Sequence, residues 1–203
     1  QLLKIGEKIT MQHKCRMTVL DKKLYPELQS RYCADPEAGV CPCYSVGDEY
    51  VFERYGSRDD FWHMGAGTLV KGETGAAGSE GKPHCSEAWD AISRYIYTAL
   101  QGGSVMRGWM NDERVMICCC SDGTRPVIFK LERLDYKAIH VSECSCRQGQ
   151  QSLAAAVASI DGVTRACWHR DGFLEAYMDG EVSDETIRAV VEFDGRYRVE
   201  RID

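Results

Sequence analysis

From Tyr136 to the end, the chain changes its hydrophobic period in an order that few folds can use. Strand-like alternation covers Tyr136 to Ser142, and a helical spacing covers Gln151 to Ile160. Alternation returns over Val163 to Arg170 and Phe173 to Asp179, then a second helical stretch over Asp184 to Asp194 and a last strand over Arg196 to Ile202. Leu153, Val157 and Ile160 form one apolar stripe on the first helix, and Ile187, Val190 and Val191 form another on the second. The punctuation agrees: Asp171-Gly172 suits a hairpin, Ser183 an N-cap before Asp184 and Glu185, and Gly195 a helix stop.

Strand, helix, strand, strand, helix, strand closes most simply as a ferredoxin-like βαββαβ sheet with both stripes on one face. The expected fold class is therefore α+β. A mixed α+β, cysteine-rich domain over 1–135 precedes a ferredoxin-like domain over 136–203, a division that suits 203 residues.

In the first domain a strand is expected from Cys15 to Leu20, then a helix-compatible stretch from Tyr25 to Tyr32. A turn-rich loop with Cys33, Cys41 and Cys43 follows, and extended chain resumes over Val46 to Phe52. Seven glycines between Gly56 and Lys82 read as a long surface loop, a flap or lid, without the strand-to-helix glycine spacing of a phosphate cradle. Trp89, Ile92, Tyr95, Ile96, Ala99 and Leu100 recur at helical steps, with Ser86 as the expected N-cap and Gly102-Gly103 as the stop. Val115 to Cys120 and Pro126 to Leu134 form a hairpin in which Asp122-Gly123 supplies the positive backbone dihedral. Arg125, beside that turn, reads either as a surface residue or as an anion contact.

Eleven cysteines, an odd number, cannot all pair internally, and a chain this long with 44% hydrophobic residues folds without staples, so the thiols are expected mostly reduced. Each thiol has two readings, as a small buried hydrophobe or as a ligand or nucleophile. In the run Cys118-Cys119-Cys120, strand geometry puts Cys118 and Cys120 on one face and Cys119 on the other. Cys85, just before a helix, faces the helix dipole and free amides, which favour thiolate, so it is the leading candidate for a reactive sulfur.

Charge is balanced, with 25 Lys plus Arg against 31 Asp plus Glu, and no basic run marks a nucleic-acid face. No apolar stretch approaches the ~18 residues of a membrane span, and Gln1-Leu2-Leu3-Lys4 does not resemble a secretory signal. A soluble cytoplasmic protein, with neither nucleic acid nor membrane as partner, is the expectation.

Three features of the second domain, Ile160-Asp-Gly-Val163, Glu181-Val-Ser-Asp-Glu-Thr-Ile187 and Gly195-Arg-Tyr-Arg-Val199, resemble the heavy-metal-associated domain of copper chaperones and metal-pumping ATPases. In that family a Met-x-Cys-x-x-Cys loop before the first helix holds a soft metal between two thiolates. Counted back from Gly162, Cys144 falls on the methionine, Cys146 on the first cysteine and Gly149 on the second. The two-thiolate site does not carry over as it stands. Cys144-Ser-Cys146 still offers two sulfurs in another geometry, and His140 offers a nitrogen.

The first domain, through Cys41-Pro, Gly47-Asp-Glu-Tyr-Val-Phe52, Cys85-x-x-Ala88-Trp89-x-x-Ile92 and Cys119-Cys120-x-Asp122-Gly123-x-Arg125-Pro126-Val127-x-Phe129-Lys130, is similar to a family of small prokaryotic cysteine-containing proteins. That resemblance implies a domain boundary and a short list of thiols, not a mechanism.

Three functions compete. The leading one is soft-metal binding or handling, with Cys41, Cys85, Cys119 and Cys120 gathered in the first domain and Cys144 and Cys146 in the second. Cys43 or His84 would add ligands, and the ion would be zinc or copper, with an iron–sulfur cluster a further fit. The second is a thiol enzyme acting on a small molecule, with Cys85 as nucleophile or redox thiol and Cys119 or Cys120 resolving it. The third is noncatalytic self-association or partner docking, with packed cysteines.

Overall fold

The computed structural model describes residues 11–54, 69–72, 85–142 and 144–203. It is a mixed α+β chain with four helices among the described residues, and it divides into two compact units, His13–Leu134 and Asp135–Asp203, the latter with Met11 packed on its core.

The first unit is a sheet with two helices. Its strands are β1 (Gln12–Lys22), β2 (Glu49–Arg54), β3 (Leu69–Gly72), β4 (Val115–Cys119) and the first half of β5 (Val127–Ser142), in the order β3-β2-β1-β5-β4. β2 pairs antiparallel with β1 and β3, and β4 pairs antiparallel with β5. Alternate residues face one core: Cys15, Met17 and Val19 from β1, and Val127, Phe129 and Leu131 from β5. Helix α1 (Pro26–Tyr32) is short, whereas α2 (Ser86–Leu100) lays Ala88, Ile92, Ile96 and Ala99 into that same core. Burying a side chain the size of Phe129 or Ile96 contributes about 2–3 kcal/mol relative to leaving it in water.

Four local expectations are corrected. Cys85, not Ser86, is the N-cap of α2: its backbone is extended at φ −84° and ψ 116°, and its carbonyl accepts the Trp89 amide at 2.9 Å. The cap is set by where the backbone leaves the extended region, so a hydroxyl one residue later goes unused. Gly123 does not carry the positive φ expected of it. The Asp122 carboxylate turns the chain instead, accepting from the amides of Thr124 at 2.9 Å and Arg125 at 3.3 Å. The glycine-rich stretch over 56–82 is not all loop, since Leu69–Gly72 adds a strand to β2; ladder hydrogen bonds use the main chain, which glycine supplies as well as any residue. The rest of that stretch lies outside the described residues. Finally, the strands expected on either side of Asp135 are one, because Asp135 itself pairs with Met178 and the ladder passes through it.

Gly102 ends α2 as expected, with φ +75°. A Cβ there would also meet the His13 ring nitrogen at 2.4 Å, so both backbone angle and space require glycine.

In the second unit the second half of β5 is followed by α3 (Arg147–Ala158), β6 (Val163–Trp168), β7 (Leu174–Met178), α4 (Asp184–Val191) and β8 (Arg198–Ile202). The strand order is β8-β5-β7-β6, antiparallel at every pair. Leu153 and Val157 of α3 and Ile187 and Val191 of α4 share one cluster with Ile139, Leu174, Ala176 and Met178 of the sheet. Ser183 caps α4 as its sequence implies, accepting from the Thr186 amide at 3.1 Å. Helix α3 starts four residues before the expected Gln151, because Cys146 caps it from within the preceding loop. No described helix is long and apolar enough to cross a membrane.

Candidate functional site

The segment between α1 and β2 carries Cys41 and Cys43, and it is fastened on either side of them. Buried Gln29 of α1 donates from Nε2 to the Gly39 carbonyl at 3.0 Å and accepts the Gly39 amide at 3.2 Å. Beyond the two thiols, Lys22 Nζ donates to the Tyr44 carbonyl at 2.8 Å. The Tyr44 ring stands edge-on to Tyr50 and Phe129, with centroids 6.2 and 5.3 Å away. A polar clamp and an aromatic socket thus define the path of the Cys41-Pro42-Cys43 stretch.

That path brings the Cys43 thiol close enough to two others, Cys41 and Cys85, to feel both sulfurs. Cys41 is buried, while Cys43 and Cys85 are partly buried against the same core. Burial, followed by the neighbouring Cys41 and Cys85 sulfurs, pushes the Cys43 thiol above its ordinary range. Burial likewise pushes the Tyr44 phenol up, reinforced by Cys85. No three thiols lie mutually within 4.8 Å among the described residues, so Cys41, Cys43 and Cys85 are neighbours that do not form a closed cage. His84, the other ligand anticipated here, lies outside the described residues.

Arg125 is near enough to Cys41 and Cys43 to feel both sulfurs. It is half-buried and held by Asp122, Nε to Oδ2 at 3.0 Å, so it is a fixed part of the turn beside the thiols rather than a free surface arginine.

The run at 118–120 obeys strand alternation and separates accordingly. Cys118 packs against the core and Cys120 is buried, while Cys119 is exposed on the other face. Cys120 spends its sulfur on the Val127 amide, which donates to it at 3.4 Å. Its neighbour Ser121 reaches the first turn of α2, donating from its amide to the Glu87 carbonyl at 3.3 Å. Cys118 and Cys15 are pushed up to about 12, both chiefly by burial. Of the four thiols expected to gather in this unit, the structure brings Cys41 and Cys85 to Cys43, buries Cys120 in the core and leaves Cys119 facing solvent. None of the eleven cysteines is in a disulfide.

In the second unit, Cys146 is exposed and caps α3 with its sulfur, accepting the Gly149 amide at 3.3 Å. Cys144 is half-buried and lies beside the Tyr197 hydroxyl. Burial, then Cys146, raises the Cys144 thiol, while the Tyr197 hydroxyl works in the opposite direction. At Gly149 a Cβ would lie 2.4 Å from the Tyr197 oxygen and 3.0 Å from the Cys146 sulfur. The place where a second loop cysteine would project is therefore filled by a phenol. His140 is engaged elsewhere, 3.2 Å from Asp203 and 2.9 Å from Arg201.

The sequence offered Cys43 only as an auxiliary ligand, and it gave no sign of Gln29 or Tyr197. Cys-x-Cys spacing was the available signal for Cys43, and its neighbours come from more than 40 residues away on the α2 side. No family model matches this chain, and no curated protein or solved structure is significantly similar to it.

Proposed function

We propose that the His13–Leu134 unit binds a soft metal ion through Cys43 together with Cys41 and Cys85. The observation that carries the reading is the position of the Cys43 sulfur beside two other thiols, Cys41 and Cys85. Crowding sulfurs together disfavours thiolate when no cation is present, and a bound cation reverses that sign. The donor set is all sulfur, which suits Cu(I) better than hard cations. Two thiolates suffice for Cu(I), and Cys43 has two neighbouring thiols to pair with. Zn(II) needs four ligands, so it would draw in a donor beyond these three.

The Asp135–Asp203 unit is read as a ferredoxin-like module. Its strand order β8-β5-β7-β6 and the two helices sharing one core support that reading. Its loop before α3 departs from a two-thiolate metal site because Tyr197 occupies the space at Gly149.

The test is titration of anaerobically purified, reduced protein with Cu(I) against a chromogenic chelator, and in parallel with Zn(II). One tightly held ion per chain is expected, lost in Cys43→Ser and retained in Cys119→Ser. Failure of both ions to bind tightly, or unchanged binding by Cys43→Ser, would overturn the proposal and leave these thiols as packing.

A further inference from the structure

The loop before α3 has a chemistry of its own, on residues separate from the proposed metal site. Cys144 and Cys146 are two residues apart, which limits their Cα separation to at most roughly 7 Å, against the ~4.4–6.8 Å that disulfides span. Both residues are fastened through Gln150: its Nε2 donates to the Cys144 carbonyl at 3.2 Å, and its amide donates to the Cys146 carbonyl at 3.0 Å. The carbonyl of Gln150 in turn accepts the Trp168 indole N–H at 2.8 Å. The two thiols are unequal. Cys146 is exposed, whereas Cys144 is half-buried beside the Tyr197 hydroxyl. That hydroxyl reaches the thiols only because residue 149 lacks a Cβ.

We propose that Cys144 and Cys146 are a reversible dithiol–disulfide pair oxidised by hydroperoxides, with Cys146 the attacking sulfur, Cys144 the resolving one and Tyr197 its positioning residue. In the first step the Cys146 sulfur attacks one peroxide oxygen, the O–O bond breaks, and a sulfenic acid and one water (or alcohol) form. In the second step the Cys144 sulfur attacks the Cys146 sulfur, the S–O bond breaks, and the hydroxyl leaves as water with the Cys144 proton. Two thiols and one hydroperoxide thus become one disulfide and two small hydroxylic products, and an external thiol reductant returns the pair.

The asymmetry gives the steps their order. The charge that Cys146 places beside Cys144 opposes ionisation of Cys144, and it disappears once Cys146 is a neutral sulfenic acid. The Tyr197 hydroxyl, which favours the ionised Cys144 sulfur, remains beside it. The resolving thiol therefore becomes easier to ionise at the step that uses it.

The chain supplies a clean readout. Trypsin releases Ala138–Arg147, a peptide that contains Cys144 and Cys146 and no other cysteine. Full-length reduced protein, held with a metal chelator and treated with hydrogen peroxide, is quenched, alkylated and digested. The peptide is expected to be lighter by two hydrogens and closed to alkylation until reduced. Cys144→Ser should leave a sulfenic acid on Cys146 that a 1,3-diketone captures. Tyr197→Phe and Gly149→Ala, which removes or displaces the hydroxyl, should each slow closure several-fold and let Cys146 sulfinic acid accumulate. If the peptide keeps two alkylatable thiols after exposed Cys119 has been oxidised, the pair is refuted. Closure at the wild-type rate in both Tyr197→Phe and Gly149→Ala would refute the role of Tyr197. The chelator and the separate peptide make both results independent of metal binding elsewhere.

Discussion

The two units each bring cysteines together at the start of a helix, and they differ in what stands beside the sulfurs. At α2 the neighbours of Cys43 are two more thiols, and burial pushes the middle one up. At α3 the neighbour of Cys144 is a phenol, and the other thiol, Cys146, lies open to solvent. Arg125, held by Asp122, lies near Cys41 and Cys43, and under the proposed metal reading a soft cation complements the three sulfurs. Two sulfurs with one hydroxyl already have a hydrogen-bond donor, and the chemistry left to them is with each other. Number and polarity of neighbours, rather than helix position, separate the two sites.

The comparison can be broken first by removing one unit's core. Leu174 is fully buried in the Asp135–Asp203 cluster, and Leu174→Ala should cost about 3 kcal/mol of stability by leaving a cavity. Chemical denaturation followed at this unit would measure it. Peroxide closure of Cys144–Cys146 should falter in this variant while metal affinity at Cys43 holds; a parallel loss of affinity would mean the two sites are not separate.

A smaller effect addresses the other side. Gln29→Ala removes both hydrogen bonds to the half-buried Gly39 backbone, at a cost of about 2 kcal/mol. The loop carrying Cys41 and Cys43 should loosen, lowering metal affinity without changing closure of the α3 pair. Isothermal titration beside the tryptic assay would show both, and unchanged affinity would mean that Tyr44 alone fixes the loop.

Ser183→Ala serves as a control of about 1 kcal/mol, the usual worth of an N-cap, because it touches neither thiol site. Thermal melting should register it, with metal binding and peroxide closure both intact. A change in either would expose a coupling through α4.

The least visible effect near neutral pH concerns the thiols that belong to neither site. Cys15 and Cys118 are raised from 9.0 to about 12, so the folded state keeps their protons where the unfolded state has lost them. Their contribution is fully present below pH 9 and is lost as pH climbs from there toward 12. Denaturation midpoints of the first unit should therefore fall across that window, and Cys118→Ala should flatten the fall. An equal slope in wild type and variant would show that Cys118 ionises normally.

Much of this protein was legible in its sequence because the signals are local. The stripe of α2 and its stop at Gly102, the Ser183 cap, and the order of elements after Tyr136 depend on residues a few positions apart. So does the division of Cys118 and Cys120 from Cys119, which follows from strand alternation alone. Local patterns misplaced boundaries where the backbone found another partner. Asp122 replaced Gly123 as the maker of its turn, Cys146 started α3 early, and β5 ran through Asp135 because Met178 lay opposite.

The sites themselves were decided by tertiary structure. Cys43 meets Cys85 only because Gln29 clamps Gly39 and the aromatic socket seats Tyr44, and these contacts join residues far apart in the chain. Tyr197 meets Cys144 only because β8 returns beside β5 and Gly149 leaves room for a hydroxyl. Side-chain periodicity records which face of an element is apolar. It carries no record of which distant sulfur or phenol that face will meet, because loop path and long-range hydrogen bonds fix that only once the sheet has assembled.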